Sequence, residues 1–339
     1  MPMQCTPIQT RRAFSLMELL VVILIIALVM AILLPAVAGA RKAAKNVSST
    51  AMLNSLSVAA GAFATDKQGQ RPGYFSPADM GSNDNATRGF SAMQNIMLDL
   101  AGGVTTAAAN GSTILRVGPT PTVVSNVDLA QIGSSSTAGT ARAYFNPDGA
   151  FFDIDPSRRR IGQVATVVEH LALPSLVDAF GTPILAWSED ERKGTKFAAP
   201  DSAAVDPARF YWSANACFLS SISLGARATN QRFQTIGSAY SMLGLGIGST
   251  AIERTMEALL GDPANPAKDY ADLPVTSRKA NGPRAPLVFH SAGPDGYYLG
   301  SLENGGKAAG GTGNAVLYSR DIDAVRAPFF DDVIVGTGK

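Results

Sequence analysis

RRAFSLMELLVVILIIALVMAILLP occupies residues 11–35. Two arginines and one small residue lead to Phe14 and a lone carboxylate, Glu18, and from Leu19 to Ala40 no charged residue follows. At about 1.5 Å rise per residue that run is roughly 33 Å long, enough to cross a hydrocarbon core of about 30 Å. No turn signal interrupts it before Pro35, so a helix can satisfy its own backbone hydrogen bonds, as lipid requires. A cleavable secretory signal is the competing reading, because small residues recur from Ala36 to Ala40. That reading needs an apolar stretch of about 7–15 residues, and it gives Glu18 no purpose. A carboxylate one turn inside a membrane helix costs about 2.5 kcal/mol or more unless it is paired or reaches water. A cut between Ala13 and Phe14 would create an α-amino group close enough to pair with Glu18 of the same or a neighbouring subunit.

Arg11-Arg12-Ala13, Phe14, Ser15, Leu16-Met17 and Glu18 resemble, in order, the processing segment of the type IV pilins and type II secretion pseudopilins, and Pro35 falls where that family also carries a proline. The family usually has Gly where this chain has Ala13. The resemblance implies an α+β, pilin-like fold, with a long N-terminal helix packed on an antiparallel sheet carrying large loop insertions. It further implies a leader over residues 1–13, cleavage by prepilin peptidase between Ala13 and Phe14, and N-methylation of Phe14. Residues 14–40 then form the transmembrane and assembly segment, with Glu18 and Pro35 as its assembly residues, and 41–339 the globular domain. The implied partners are other pilin or pseudopilin subunits and a secretion or pilus assembly platform. Arg11 and Arg12 before the span are balanced by Arg41, Lys42 and Lys45 after it, so charge does not orient it. The resemblance implies an inner-membrane protein with a cytoplasmic N-terminus and an extracytoplasmic globular domain.

Of the 339 residues, 46% are hydrophobic and 16% charged, with net charge +1, which leaves no electrostatic footprint for nucleic acid beyond the short run Arg158-Arg159-Arg160. Cys5 leaves with the leader and Cys217 stands alone, so the mature chain has no internal disulfide. Leu53, Leu56, Ala60 and Phe63 share one helical face, extending the helix to about Lys67. Gly69 and Arg71-Pro72-Gly73 end it. Short β-rich pieces follow at Ile114–Val117, Val164–Val168, Pro183–Trp187, Arg209–Trp212, Leu287–His290 and Val333–Val335. Residues 102–112, 132–141 and 303–314 read as loop insertions. Thr250 with Glu253 predicts a second helix over 250–260.

Residues 178–187, DAFGTPILAW, read as a turn at Gly181 entering a strand at Pro183. Residues 286–300, PLVFHSAGPDGYYLG, run from a strand into a loop with Asp295. Its glycines, carbonyls and carboxylate suit a hard cation such as Ca²⁺, which takes six to eight oxygens, provided further acids converge. Asp321, Asp323, Asp331 and Asp332 are the candidates. Both segments resemble major pseudopilins, the first with Phe180 in place of Trp, the second as the family's C-terminal calcium loop. Catalytic patterns fail: His170 and His290 are the only histidines, neither in a metal-ligating motif, and no nucleophile elbow or P-loop appears. The chain thus reads as a structural filament subunit and not an enzyme. The alternative is a membrane-tethered module whose large insertions at about 70–175 and 190–280 bind polysaccharide or secretion cargo through a cleft or exposed aromatics such as Tyr211 and Trp212.

Overall fold

The computed structural model describes residues 16–133, 143–146, 152–153, 167, 169–190, 210–219, 260–261, 282–295 and 333–337. The chain divides into two compact units, Met1–Lys45 and Asn46–Lys339. In the first, every described residue belongs to helix α1, Leu16–Asp66, and is exposed. Pro35 lies within the helix, where its missing N–H leaves the Ala31 carbonyl without its usual helical donor. The apolar stretch of this helix has none of its residues buried, and the helix is long and apolar enough to cross a membrane.

In the second unit the same helix becomes one-sided. Ser49, Met52, Leu53, Leu56, Ala59, Ala60 and Phe63 are buried, a stripe at helical spacing that faces the core. The helix stops at Asp66, next to the expected end, and Gly69 follows with φ +88°. Three helices come next: α2 (Pro77–Met80), α3 (Asn83–Arg88) and α4 (Ala92–Leu100). Each has a serine N-cap, Ser76, Ser82 and Ser91, and in α4 Ser91 and Gln94 close a reciprocal capping box. Nearly all of α4 is buried, including the polar Gln94 and Asn95.

Strands β1 (Val104–Thr105), β2 (Ile114–Val117) and β3 (Ser125–Asp128) form an antiparallel sheet in the order β1-β3-β2, so residues 102–112 contribute a sheet edge and are not wholly loop. Strand β4 (Phe152–Asp153) pairs with β5 (Ser175–Leu176), and α5 (Glu169–Ala172) precedes β5. The third sheet is β6 (Leu185–Ser188), β7 (Leu287–Ser291) and β8 (Val333–Gly336), with β7 central and all pairs antiparallel. Register sets Ala186 opposite Phe289 and Phe289 opposite Val335, and such partners share a face. Ala186, Leu287 and Phe289 join Leu53, Leu56 and Phe63 in one core, with Val333 and Val335 packed against it. All five β7 residues are buried, so the sheet is covered on both faces.

The α+β expectation of a long apolar helix with antiparallel sheets is met, although the strands form three small sheets among the described residues. One strand expectation is corrected. Arg209 lies outside the described residues, and Phe210–Trp212 pairs with no strand among them; a 3₁₀ turn, Trp212–Asn215, leads into α6 (Ala216–Leu219). Ala214 N donates to the Tyr211 carbonyl, and Asn215 Nδ2 donates to the Ala186 carbonyl, so the segment caps the β6 backbone by side chain instead of pairing with it. Val164–Val168 apart from Val167, the helix at 250–260 apart from Leu260, and the insertion at 303–314 lie outside the described residues.

Candidate functional site

Glu18 sits in the first turn of α1. Ala13 and Phe14 lie outside the described residues. Leu20, Ile23, Leu24, Leu28 and Leu34 are among the exposed apolar side chains that follow. This density of bare hydrocarbon is unsustainable in water and belongs in lipid or against other helices.

In the globular unit, the two sequence segments singled out above meet. Val177 bridges Pro183, Asp178 N donates to the Thr182 carbonyl at 2.8 Å, and Gly181 N donates to the Asp178 carbonyl at 2.9 Å. Residues 178–182 therefore form a tight hairpin loop into β6, with Gly181 at φ +81°, a conformation that favours glycine. The Asp178 side chain, 2% exposed, organises this loop from within: Oδ1 accepts from Phe180 N at 2.9 Å and Thr182 N at 2.8 Å. Its Oδ2 accepts from Ser291 Oγ at 2.6 Å, the last residue of β7. Ser291 Oγ accepts in turn from Gly293 N at 3.2 Å, at the start of the 3₁₀ turn Gly293–Asp295. Ser49 of α1 completes the junction, its Oγ accepting from Ala179 N at 3.1 Å. A buried carboxylate accepting three hydrogen bonds is a structural clamp between helix, hairpin and C-terminal loop.

Of the candidate calcium ligands, Asp295 ends that 3₁₀ turn, while Asp321, Asp323, Asp331 and Asp332 lie outside the described residues. Among the described residues no three His, Cys, Asp or Glu side chains converge as a metal site. The histidines are internal. His170 Nε2 accepts from Gly118 N at 3.0 Å, which places the ring proton on Nδ1, 2.8 Å from the Arg88 carbonyl that receives it. His290 is fully buried on β7, where neighbouring Ser291 points to the opposite face, so the pair does not form a catalytic dyad.

One feature escaped sequence reading. A cleft of about 380 Å³ lies among the loop after α1, α4, the end of β6 and Tyr211. Arg71 Nη1 donates to the Glu189 carbonyl at 3.2 Å and Nη2 lies 3.7 Å from Glu189 Oε2. Burial pushes the Arg71 guanidinium below its ordinary pKa, partly offset by Glu189. Tyr211 OH donates to Asp190 Oδ2 at 2.7 Å. Asp99, on α4 and not part of the cleft lining, accepts from Gly73 N through Oδ2 at 2.7 Å; burial raises its pKa, against the opposing effects of that hydrogen bond and Lys67. Of the two aromatics expected to mark a binding surface, Tyr211 is half-buried at the cleft, whereas the Trp212 side chain lies outside the described residues.

Neither the curated proteins nor the solved structures provide a significant match to the chain. The N-terminal segment does find one: residues 8–34 match the prokaryotic N-terminal methylation motif. Helix α1, with Glu18 in its first turn, begins within that match, and the chain carries the prepilin-type signal found in type IV pilins and pseudopilins.

Proposed function

We propose that the chain is a pseudopilin-like structural subunit that works mechanically, not catalytically. Prepilin peptidase cuts between Ala13 and Phe14, Phe14 is N-methylated, and the helix is stored in the inner membrane with the globular unit on the far side. Subunits then polymerise with one another and with related pilins on a type II secretion or type IV pilus-like assembly platform. The observation that carries this reading is the methylation motif at residues 8–34 leading into a 51-residue helix whose first unit is entirely exposed. A buried α-amino–carboxylate pair, Phe14 of one subunit with Glu18 of the same or the next, would fix axial register, because leaving either charge unpaired in a lipid-like interior is costly. Pro35 supplies a weakened point where the packed helix can extend or bend. The type II secretion role is favoured because the two segments that resemble major pseudopilins converge at the Asp178–Ser291 clamp.

Calcium belongs to this proposal on the strength of the sequence pattern: Asp295, with acids drawn from Asp321, Asp323, Asp331 and Asp332, would supply carboxylate oxygens and tie down the C-terminal loops in place of a disulfide. Chelation then lowers the unfolding temperature of the full chain, and Asp295→Ala abolishes that response; a chain indifferent to both EDTA and the substitution has no such ion. The main reading is tested by mass spectrometry of protein extracted from membranes. A mature terminus at N-methyl-Phe14 is expected, and a terminus near Arg41 would replace the filament reading with ordinary secretion.

A further inference from the structure

The cleft beside Tyr211 is not used by any step of filament assembly described above. Among the described residues its charged wall groups are Arg71, Glu189 and Asp190, one cation against two carboxylates. Glu189 and Asp190 are 8% and 3% exposed, so these groups sit where water competes weakly. We propose that this cleft binds a neutral, hydroxyl-rich ligand, a sugar unit of a polysaccharide chain.

The chemistry of the wall selects that class. Arg71 offers only donors, and the two carboxylates only acceptors. A ligand anion meets two negative groups for each positive one, and a ligand cation meets the desolvated guanidinium at the same wall. An apolar ligand would strip water from all three groups and return no hydrogen bonds. A hydroxyl both donates and accepts, so vicinal hydroxyls serve both kinds of wall group at once.

An aromatic surface is held in place for the ring itself. The Tyr211 hydroxyl is fixed by Asp190, and the ring lies so close to Gly81 that a Cβ there would come within 2.2 Å of Tyr211 Cγ. A ring held by its hydroxyl and packed against Gly81 loses little freedom on binding, and an aromatic ring suits the polarised C–H groups of a sugar. The volume, about 380 Å³, is at the small end of ligand pockets and accommodates a short segment of a chain.

The test uses the full-length protein in a detergent without a sugar headgroup, titrated with cellohexaose, chitohexaose and maltohexaose and followed by calorimetry and tryptophan fluorescence. At least one of these neutral hexasaccharides is expected to bind saturably with a Kd of about 1 mM or tighter. Asp190→Asn, which retains an acceptor for Tyr211, weakens it about tenfold, the factor for one hydrogen bond to a charged group. Gln70→Ala, at the exposed rim and without consequence for folding, weakens it about threefold. Failure of all three sugars to bind at ~10 mM overturns the proposal. So does binding that survives both substitutions, or tighter binding of hexalysine or of hexagalacturonate.

Discussion

Replacing Ser291 by alanine removes a single oxygen from the interior, yet it unmakes two connections at the clamp between hairpin and C-terminal loop. The bond from Ser291 Oγ to the Asp178 carboxylate, 2.6 Å long, is charge-assisted and worth about 1.5–3 kcal/mol. Gly293 N loses its acceptor at the same time, and a buried amide left unsatisfied costs about 1–3 kcal/mol. Asp178 keeps its bonds from Phe180 N and Thr182 N, which moderates the loss. A destabilisation of about 3 kcal/mol follows, which for a unit this large lowers Tm by about 6–12 °C. Asp178→Asn should cost less, because its carbonyl can still receive both amides while its Nδ2 donates to Ser291 Oγ. Urea unfolding of the full chain in micelles, followed by near-ultraviolet circular dichroism, measures each variant and a double mutant of Asp178→Ala with Ser291→Ala. The reasoning requires a coupling energy of about 1.5–3 kcal/mol in that cycle. A loss below about 0.5 kcal/mol in Ser291→Ala, or strict additivity, would refute it.

Other perturbations reach different parts of the chain. Asp99 has its folded pKa raised by burial, so the folded state holds its proton more tightly than the unfolded chain. Stability from this group is full below the ordinary carboxylate pKa and is lost as pH rises through the raised value. Asp99→Asn, which keeps an acceptor for Gly73 N, should flatten that fall and leave the protein at least as stable at pH 7; unfolding midpoints from pH 4 to pH 7 measure it, and an unchanged profile contradicts it. Gly118→Ala would place a Cβ 2.1 Å from the Val123 carbonyl oxygen, a backbone atom that cannot swing aside. Because Gly118 N also serves His170 and its carbonyl serves Arg88, a loss of about 3 kcal/mol or more is expected in thermal unfolding. Glu18→Ala should leave membrane insertion intact and reduce filament yield at least about tenfold, read by shearing and immunoblot; normal filaments would remove the register role given to this carboxylate.

Much of the architecture was legible because its signals are local. The apolar run and the 49–63 stripe specify α1, and β-branched or aromatic runs specify β2, β6, β7 and β8. Helix α4 was missed although Ser91 and Gln94 carry the same capping pattern used at Thr250. Gln94 and Asn95 look like surface residues, yet they are buried: Asn95 pairs with both backbone groups of Phe75, and Gln94 Nε2 reaches the Leu173 carbonyl. Polar side chains that spend their hydrogen bonds on distant backbone cannot be distinguished from solvated ones by periodicity. Arg209–Trp212 was misread for a related reason, since Tyr211 is amphipathic and its place is set by Asp190, not by a strand partner. The cleft depends on Arg71 meeting Glu189 across 118 positions, which no window of sequence reveals. By contrast, the turn at Gly181 and the strand before Ser291 were each legible alone; their union through Asp178 and Ser291 was not.

Strand β8 has a temporal consequence for the helix it adjoins. Ser57 Oγ on α1 donates to the Gly336 carbonyl at 3.4 Å, between residues separated by 279 positions. At about 5–20 residues per second, a ribosome spends roughly 15–55 s between adding the two. Throughout that interval the nascent chain holds Leu53, Leu56 and Phe63 without the last strand of the sheet beside them. The N-terminal segment has by then long been available to the membrane, so anchoring precedes completion of the fold. On the proposed filament reading, each subunit is then tethered to a bilayer before it is finished, with its sticky surface confined to two dimensions among others in the same state. Rapid synthesis or a holding partner at the membrane surface would raise the yield of folded subunits more than any gain in final stability.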